Sequence, residues 1–463
     1  MLSPVRRLVL LITSMAIVMA GCAGQGVPAT PTNPAAGKTG PSSHPSAAGF
    51  DWKRYAGTTI TFLANQHPWT EGMNKVLGQF QSETGITVNV QPFAEDLYFD
   101  KMEQTLRAKP SPADVYFLPM DSTGYTQFSA GLIEPLTPFI NDPSETSADY
   151  DLADFPSGFL TGGTYPPGDP NAQLYGIPIT FETYILFYNK DLVQHAPATF
   201  ADLVRSAKEI TAARASDGIS GSVMRGIRSD TIMDTLTGVV FNEWGAKPVQ
   251  APYGVWFDGD WTRPRLTDPS ICQGLADYAA MVAAGPPNKY SIDWPDANTL
   301  FSQGRAAYFI DASLFGPEYE DASKSRIAGK VGYAPLPPST VGGTSYSGAW
   351  VWGLGIPANA QHKDAAWYFI QWMTTKANTA KIGAFTGGAP RDSAWSDPAY
   401  AGALNPEYVQ AVKTQTQTVR STVVFREGWK GGALAIVDTM LAIAHQMSAC
   451  ASGNEALRKA VAP

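Results

Sequence analysis

Few residues of this chain are spaced for bond-making chemistry. The five histidines, His44, His67, His195, His362 and His445, stand far apart, and no H-E-x-x-H or C-x-x-C pattern gathers metal ligands. No G-x-S-x-G elbow presents a nucleophilic serine, and no G-x-x-x-x-G-K-[ST] loop could cradle phosphates. Gly353-Leu354-Gly355 is a lone G-x-G, which reads as strand packing. Acidic pairs such as Glu318 and Glu320 exist. A glycoside-active enzyme, however, needs two carboxylates facing each other across a cleft, and nothing in the spacing brings two together. The pattern is that of a protein that binds without a catalytic residue, a metal or a cofactor.

The composition limits the partners. The chain has 463 residues, with 33 basic and 41 acidic side chains and a net charge of −8, so it offers no electrostatic attraction to nucleic acid. A 44% apolar content excludes a disordered chain, and the length allows two substantial cores.

The N-terminus divides as an export signal does. Arg6 and Arg7 precede an apolar run over 8–20, which is too short to span a bilayer. Met19-Ala20-Gly21-Cys22 resembles a bacterial lipobox, in which Cys22 would be acylated and become the new N-terminus. Met19 stands where Leu is usual. Residues 1–21 are therefore expected to be a lipoprotein signal peptide, with Cys22 the lipid anchor on the outer face of the cell membrane. The following stretch to residue 49 has no aromatic and a single large aliphatic residue, Val27, and reads as a disordered tether. Cys272 and Cys450 remain; in an exported protein they either form one disulfide or stay as buried thiols.

Beyond the tether, short β-rich runs alternate with amphipathic helical runs. Residues 58–63 read as a strand, 73–84 as a helix ending at Gly85, 86–90 as a strand, 97–108 as a helix and 113–118 as a strand. A helix over 122–130 follows, ending at Gly131. This order predicts a parallel sheet with crossover helices, an α/β fold. Residues 141–173 read as a long loop with one helical turn. Residues 175–192 read as two strands with a bend near 180–182. Further helices are expected over 200–213, capped by Thr199, and over 229–243, 271–284, 296–303, 363–376 and 432–449.

Five ordered segments together carry a resemblance: FQSETGITVNV (80–90), ADVYFLPMD leading to GLIEPL (113–136), YGIPITFETYILFYNKDL (175–192), FSQGRAAYFID with VGYAPLP (301–337), and WGLGIPANAQHKDAAWYFIQWM (352–373). The chain resembles the extracellular solute-binding proteins of ABC importers, of the carbohydrate type that includes maltose-binding proteins. The resemblance implies a two-lobed fold with hinge strands and a central cleft. Lobe one would take 51–179 and 350–389, and lobe two 180–349 and 390–463. It also implies a carbohydrate ligand, an ABC permease as partner, and a monomer that breaks no bond. The same fold holding a glycerophosphodiester or another polar solute is the alternative, and a secreted glycoside-active enzyme a more distant one.

Sugars offer hydroxyls that need oriented partners and C–H faces that stack on rings. The resemblance accordingly implies ligand contacts from Asn65, Gln66 and Trp69 after the first strand, and from Asp121 after the third, where an N-cap is the other reading. Glu182 is a charge in an apolar run, and burying it unpaired would be costly, so a sugar hydroxyl or a hinge partner is expected beside it. Asp311 precedes the position where relatives carry a stacking Trp; Leu314 stands there instead, and Trp294 or Phe315 would have to substitute. Trp350 and Arg391 match cleft segments, although Trp350 could be core and Arg391 a surface ion pair. Trp244 and Trp429 complete the set, whereas Trp367 and Trp372 share one helix and read as core.

Overall fold

The computed structural model describes residues 49–443 and 448–462, so the expected signal peptide, the Cys22 anchor and the tether through residue 48 lie outside the described residues. The strands are β1 (Thr59–Asn65), β2 (Thr87–Phe93), β3 (Val115–Pro119), β4 (Thr164–Tyr165), β5 (Gln173–Leu174), β6 (Ile177–Asn189), β7 (Ser220–Val223), β8 (Ala306–Ala312), β9 (Val331–Ala334), β10 (Ser347–Gly355) and β11 (Val419–Ser421). The longer helices are α1 (Pro68–Thr84), α2 (Glu95–Arg107), α3 (Phe200–Arg214), α4 (Met233–Trp244), α5 (Pro269–Ala283) and α6 (Trp294–Ser302). They continue with α7 (Lys363–Met373), α8 (Lys376–Thr386), α9 (Pro406–Thr416), α10 (Lys430–Ile443) and α11 (Ala449–Ala460).

The main sheet runs β2-β1-β3-β10-β6-β8-β7, with β11 beside β10 and β9 beside β6. The β1, β2 and β3 strands are parallel, as the strand-helix alternation predicts. α1 begins five residues before the apolar periodicity does. Pro68 occupies its first turn, where a missing N–H is harmless, and the His67 Nδ1 accepts the Trp69 N–H at 3.1 Å as a cap. Gly85 ends it in the left-handed region, φ 73°, where a Cβ would be strained. α3 starts as expected, with the Thr199 hydroxyl accepting the Asp202 N–H at 3.1 Å. The helix expected over 363–376 is two helices, because Thr375 caps a new start and accepts the Asn378 N–H.

The largest difference from the sequence reading lies at 175–192. No bend divides it into two strands. β6 is one 13-residue strand that changes partners. Its first part pairs antiparallel with β10 as far as Thr183 opposite Ala349. From Tyr184, opposite Ala312, it pairs with β8, and farther on with β9 as well. A strand buried on both faces reads as an unbroken apolar run, so the sequence shows the strand and hides the exchange.

Two apolar clusters lie on opposite faces of the second half of β6. Tyr184, Leu186 and Tyr188 face one cluster with α3, α4, α5 and α10, and Ile185 and Phe187 face the other, as the two-residue strand period requires. The second cluster also holds Ile60 and Val115 of the first parallel strands, together with Tyr400 and Tyr408. This cluster thus draws residues from both expected lobes. Cys272 of α5 and Cys450 of α11 are joined by a disulfide with Cα atoms 6.0 Å apart.

Candidate functional site

Where β1, β3, β6 and β10 meet, the strand ends gather acidic and aromatic side chains. Asp121 follows β3 by two residues. It caps no helix. Its Oδ2 accepts the Val351 N–H of β10 at 2.7 Å, and its Oδ1 accepts the Ser421 hydroxyl at 3.1 Å. Burial pushes its carboxyl up to about 7, against the pull of those two donors.

Glu182 lies directly opposite Trp350 in the β6–β10 ladder, so the two side chains share one face of the sheet. Both are half-buried. Burial raises the Glu182 carboxyl to about 8; Arg225 opposes this, and the charges of Asp234, Asp311 and Glu95 add to it. Asp234, in the first turn of α4, is half-buried and raised by burial to about 8, again opposed by Arg225 and reinforced by Asp121. Asp121, Glu182 and Asp234 thus form a group of carboxyls that interact electrostatically and are poorly solvated.

Arg225 does not neutralise them. Its Nε donates to Asp311 Oδ2 at 2.8 Å, its Nη2 pairs with Asp311 Oδ1, and its Nη1 donates to the Thr231 carbonyl at 2.7 Å. Asp311 is fully buried and also accepts the Ala312 N–H. Its role is therefore to hold Arg225, not to face a solute as expected. The pair is internally satisfied, which a buried ion pair requires.

Asn65 is the last residue of β1. Its side chain is buried, and its Oδ1 has no hydrogen-bond partner among the described residues. Gln66 beside it is exposed. The His67 ring packs 6.0 Å from Trp352, which in turn lies 5.6 Å from Trp350. Burial lowers the His67 imidazole to about 3, leaving it neutral, as its acceptor role at the α1 cap needs. Trp294 is half-buried and stacked on Phe315 at 5.9 Å; Phe315 follows Ser313, whose Oγ accepts the Thr183 N–H beside Glu182. A stacked ring pair therefore stands two positions from the Glu182 strand contact, flanking the position held by Leu314.

Three expected contacts, Trp69, Trp244 and Arg391, lie elsewhere. Trp69 is buried edge-on against Phe62 and Phe117 in the core. Trp244 ends α4 ten residues beyond Asp234, about 15 Å along the axis, with Lys247 and Arg265 over its ring. Trp429 packs on Phe257 at 6.2 Å. Arg391 is fully buried. It donates to the carbonyls of Thr374, Asp151 and Tyr150 and to Asp154, so every guanidinium nitrogen is engaged within the protein. Trp367 and Trp372 are core, as expected.

The sequence reading missed Arg225, Asp234 and Ser421. An Asp in the first turn of a helix looks like dipole compensation, and only the packing of α4 on β6 gives Asp234 its place. Two surface concavities, of about 240 and 280 Å3, lie around Tyr408 and around Tyr150 and include none of these carboxyls. Among the described residues no three His, Cys, Asp or Glu side chains are placed to hold a metal ion.

A carboxyl-lined junction between two sheet halves, joined by shared strands, defines a solute-binding architecture. The family model of bacterial extracellular solute-binding proteins matches residues 66–380, and the chain belongs to that family, whose members are binding proteins that work outside the cytoplasm. The chain is similar to the erythritol/L-threitol-binding protein of Mycolicibacterium smegmatis, at 28% identity over 78% of this chain and 77% of the relative. It is also similar to the mannitol-binding protein of Pseudomonas aeruginosa, at 29% identity over 53% of each chain. Among solved structures, the ABC-transporter solute-binding protein of Agrobacterium radiobacter K84 in complex with ribitol superimposes with a TM-score of 0.70 at 22% identity, covering 87% of this chain and 99% of that one. The maltose-bound MalE3 of Thermotoga maritima gives 0.69 at 21% identity, over 87% and 98%. The fold is the two-lobed fold of solute-binding proteins, with hinge strands and a central cleft.

Proposed function

We propose that this protein captures a small polyhydroxylated solute, a polyol or short saccharide, between its lobes and delivers it to an ABC permease. The observation that carries this reading is the group of poorly solvated carboxyls Asp121, Glu182 and Asp234, with the half-buried Trp350 directly opposite Glu182; at the end of β1 the buried Asn65 oxygen has no partner among the described residues. Carboxyls and an amide oxygen accept solute hydroxyls, and the indole covers a C–H face. The relatives that bind erythritol, L-threitol and mannitol favour a linear polyol within this class.

A glycerophosphodiester would not meet the cation expected for it. Arg391, the cation it would have used, is consumed by backbone carbonyls, and Arg225 is consumed by Asp311. In this reading the protein acts as a monomer, breaks no bond, and is anchored through Cys22 to the outer face of the cell membrane. The expected contacts of Gln66 and Trp294 belong to the same site.

The test is thermal denaturation of the protein with erythritol, ribitol, D-mannitol, maltose, glycerophosphocholine and spermidine. A solute present at 100 times its Kd adds about 2.7 kcal/mol to the folded state. A rise confined to polyols or saccharides supports the reading. A rise with glycerophosphocholine or spermidine alone replaces it, and no rise with any of them removes it.

A further inference from the structure

Tyr184 holds a position that packing alone does not explain. It is the residue at which β6 leaves β10 and takes up β8. Its ring is fully buried, wedged between α4 and β10. A Cβ on Gly238 of α4 would come within 2.7 Å of the Tyr184 ring, and one on Gly348 of β10 within 3.2 Å, so both neighbours are glycine where the ring needs the space. The backbone there is fixed as well: the Ser347 hydroxyl donates to the Tyr184 carbonyl at 2.9 Å.

The hydroxyl at the end of this tightly held ring is sealed from solvent and has no hydrogen-bond partner among the described residues. Phenylalanine would fill the same space without burying an unpaired polar group, which costs stability. The strand period puts Tyr184 on the same face as Glu182. Asp234 lies four residues before Gly238, hence on the face of α4 that meets the ring. The charges of Asp234, Glu182, Arg225 and Asp311 all act on the phenol. The orphaned hydroxyl therefore belongs with the carboxyls of the site.

We propose that the Tyr184 hydroxyl is a solute-recognition group, which hydrogen-bonds a hydroxyl of the captured polyol at the strand exchange between the lobes. The proposal rests on the polyol reading above and adds to it a residue held in place from both sides of the hinge.

Isothermal titration of full-length wild type and Tyr184→Phe with erythritol, ribitol, D-mannitol and maltose tests it, together with the unliganded melting midpoint of each. The expected result is binding about tenfold weaker in Tyr184→Phe, with an unliganded midpoint equal to or above that of the wild type. A merely structural role cannot give that combination. For the solute bound best, the monodeoxy analogue lacking the contacted hydroxyl should bind wild type and variant equally. Tyr184→Met, which also lacks the hydroxyl, serves the same comparison if the Phe variant does not fold. Affinity of the variant within about twofold of wild type overturns the proposal and leaves the polyol reading standing. A lowered midpoint with weaker binding overturns it in favour of packing. Wild-type protein that binds none of the four solutes overturns both.

Discussion

Asp121 holds the backbone N–H of Val351 at 2.7 Å, tying the end of β3 to the return strand at the point where β10 faces Glu182. The same carboxyl is one of the three in the candidate site, so it serves the hinge and the solute together. Asp121→Asn keeps an acceptor for Val351 and removes the charge. We expect solute affinity to fall about 10- to 100-fold, the worth of a charge-assisted hydrogen bond, while the unliganded protein becomes more stable at pH 8. Titration calorimetry and scanning calorimetry read the two effects separately. Unchanged affinity would remove Asp121 from the site.

The raised carboxyls set a pH dependence. Asp121 near 7, with Glu182 and Asp234 near 8, lie above their ordinary values of 3.8, 4.5 and 3.8. Between those limits the folded state keeps protons that the unfolded state has released, so stability falls as pH rises from about 4 to about 8 and is level above. For Asp121 alone the loss is up to about 4 kcal/mol. Below pH 4 exposed acids held down in the fold, such as Asp202 against the Thr199 hydroxyl, act in the opposite sense. The melting midpoint of unliganded protein should therefore be higher at pH 5 than at pH 8. Solute hydroxyls favour the ionised carboxyls, so affinity should rise over the same range and binding should release protons. Calorimetry in buffers of different ionisation enthalpy measures that release; none at pH 7 would contradict the arrangement.

Trp350 is half-buried opposite Glu182, whereas Trp244 is buried at the far end of α4. Trp350→Ala should weaken solute binding about tenfold. Trp244→Phe should leave affinity unchanged and lower stability. Tryptophan fluorescence on titration should respond to solute in wild type and Trp244→Phe and lose most of its change in Trp350→Ala; the reverse pattern would move the site to the other end of α4.

Arg391 fastens the loop of Tyr150, Asp151 and Asp154 to Thr374. Arg391→Ala leaves buried carbonyls and Asp154 without that partner. Denaturant unfolding should show a loss of about 3–5 kcal/mol. Affinity of the folded fraction should stay close to wild type, and a selective loss of affinity would return Arg391 to the site.

The Cys272–Cys450 disulfide closes a 178-residue separation between α5 and α11. Replacing both cysteines by serine should cost roughly 2–4 kcal/mol of stability. Solute affinity should not change, which equilibrium unfolding and titration of the double variant would show.

Glu182 was legible as a charge within an apolar run, where burial demands a partner, and Asp121 through the family resemblance, which implies a contact after the third strand. Arg391 looked equally chemical, yet three of its four partners are backbone carbonyls, two of them some 240 positions away, and a carbonyl leaves no mark in the sequence. Trp69 was misread for a related reason. A loop residue in sequence became the first turn of α1 once Pro68 and His67 started the helix early, and its ring turned into the core.

The sequence by itself determined the α/β class, the order of the first parallel strands and the family resemblance, because periodicity, caps and ordered motifs are local properties of the chain. Tertiary structure decided which charges meet. It took Asp311 away from the cleft by giving it Arg225, brought Asp234 to the site by laying α4 on β6, and made one strand out of two by changing its partner at Tyr184. Those outcomes depend on desolvation and on pairing between distant residues, whose energies exist only after the chain has folded.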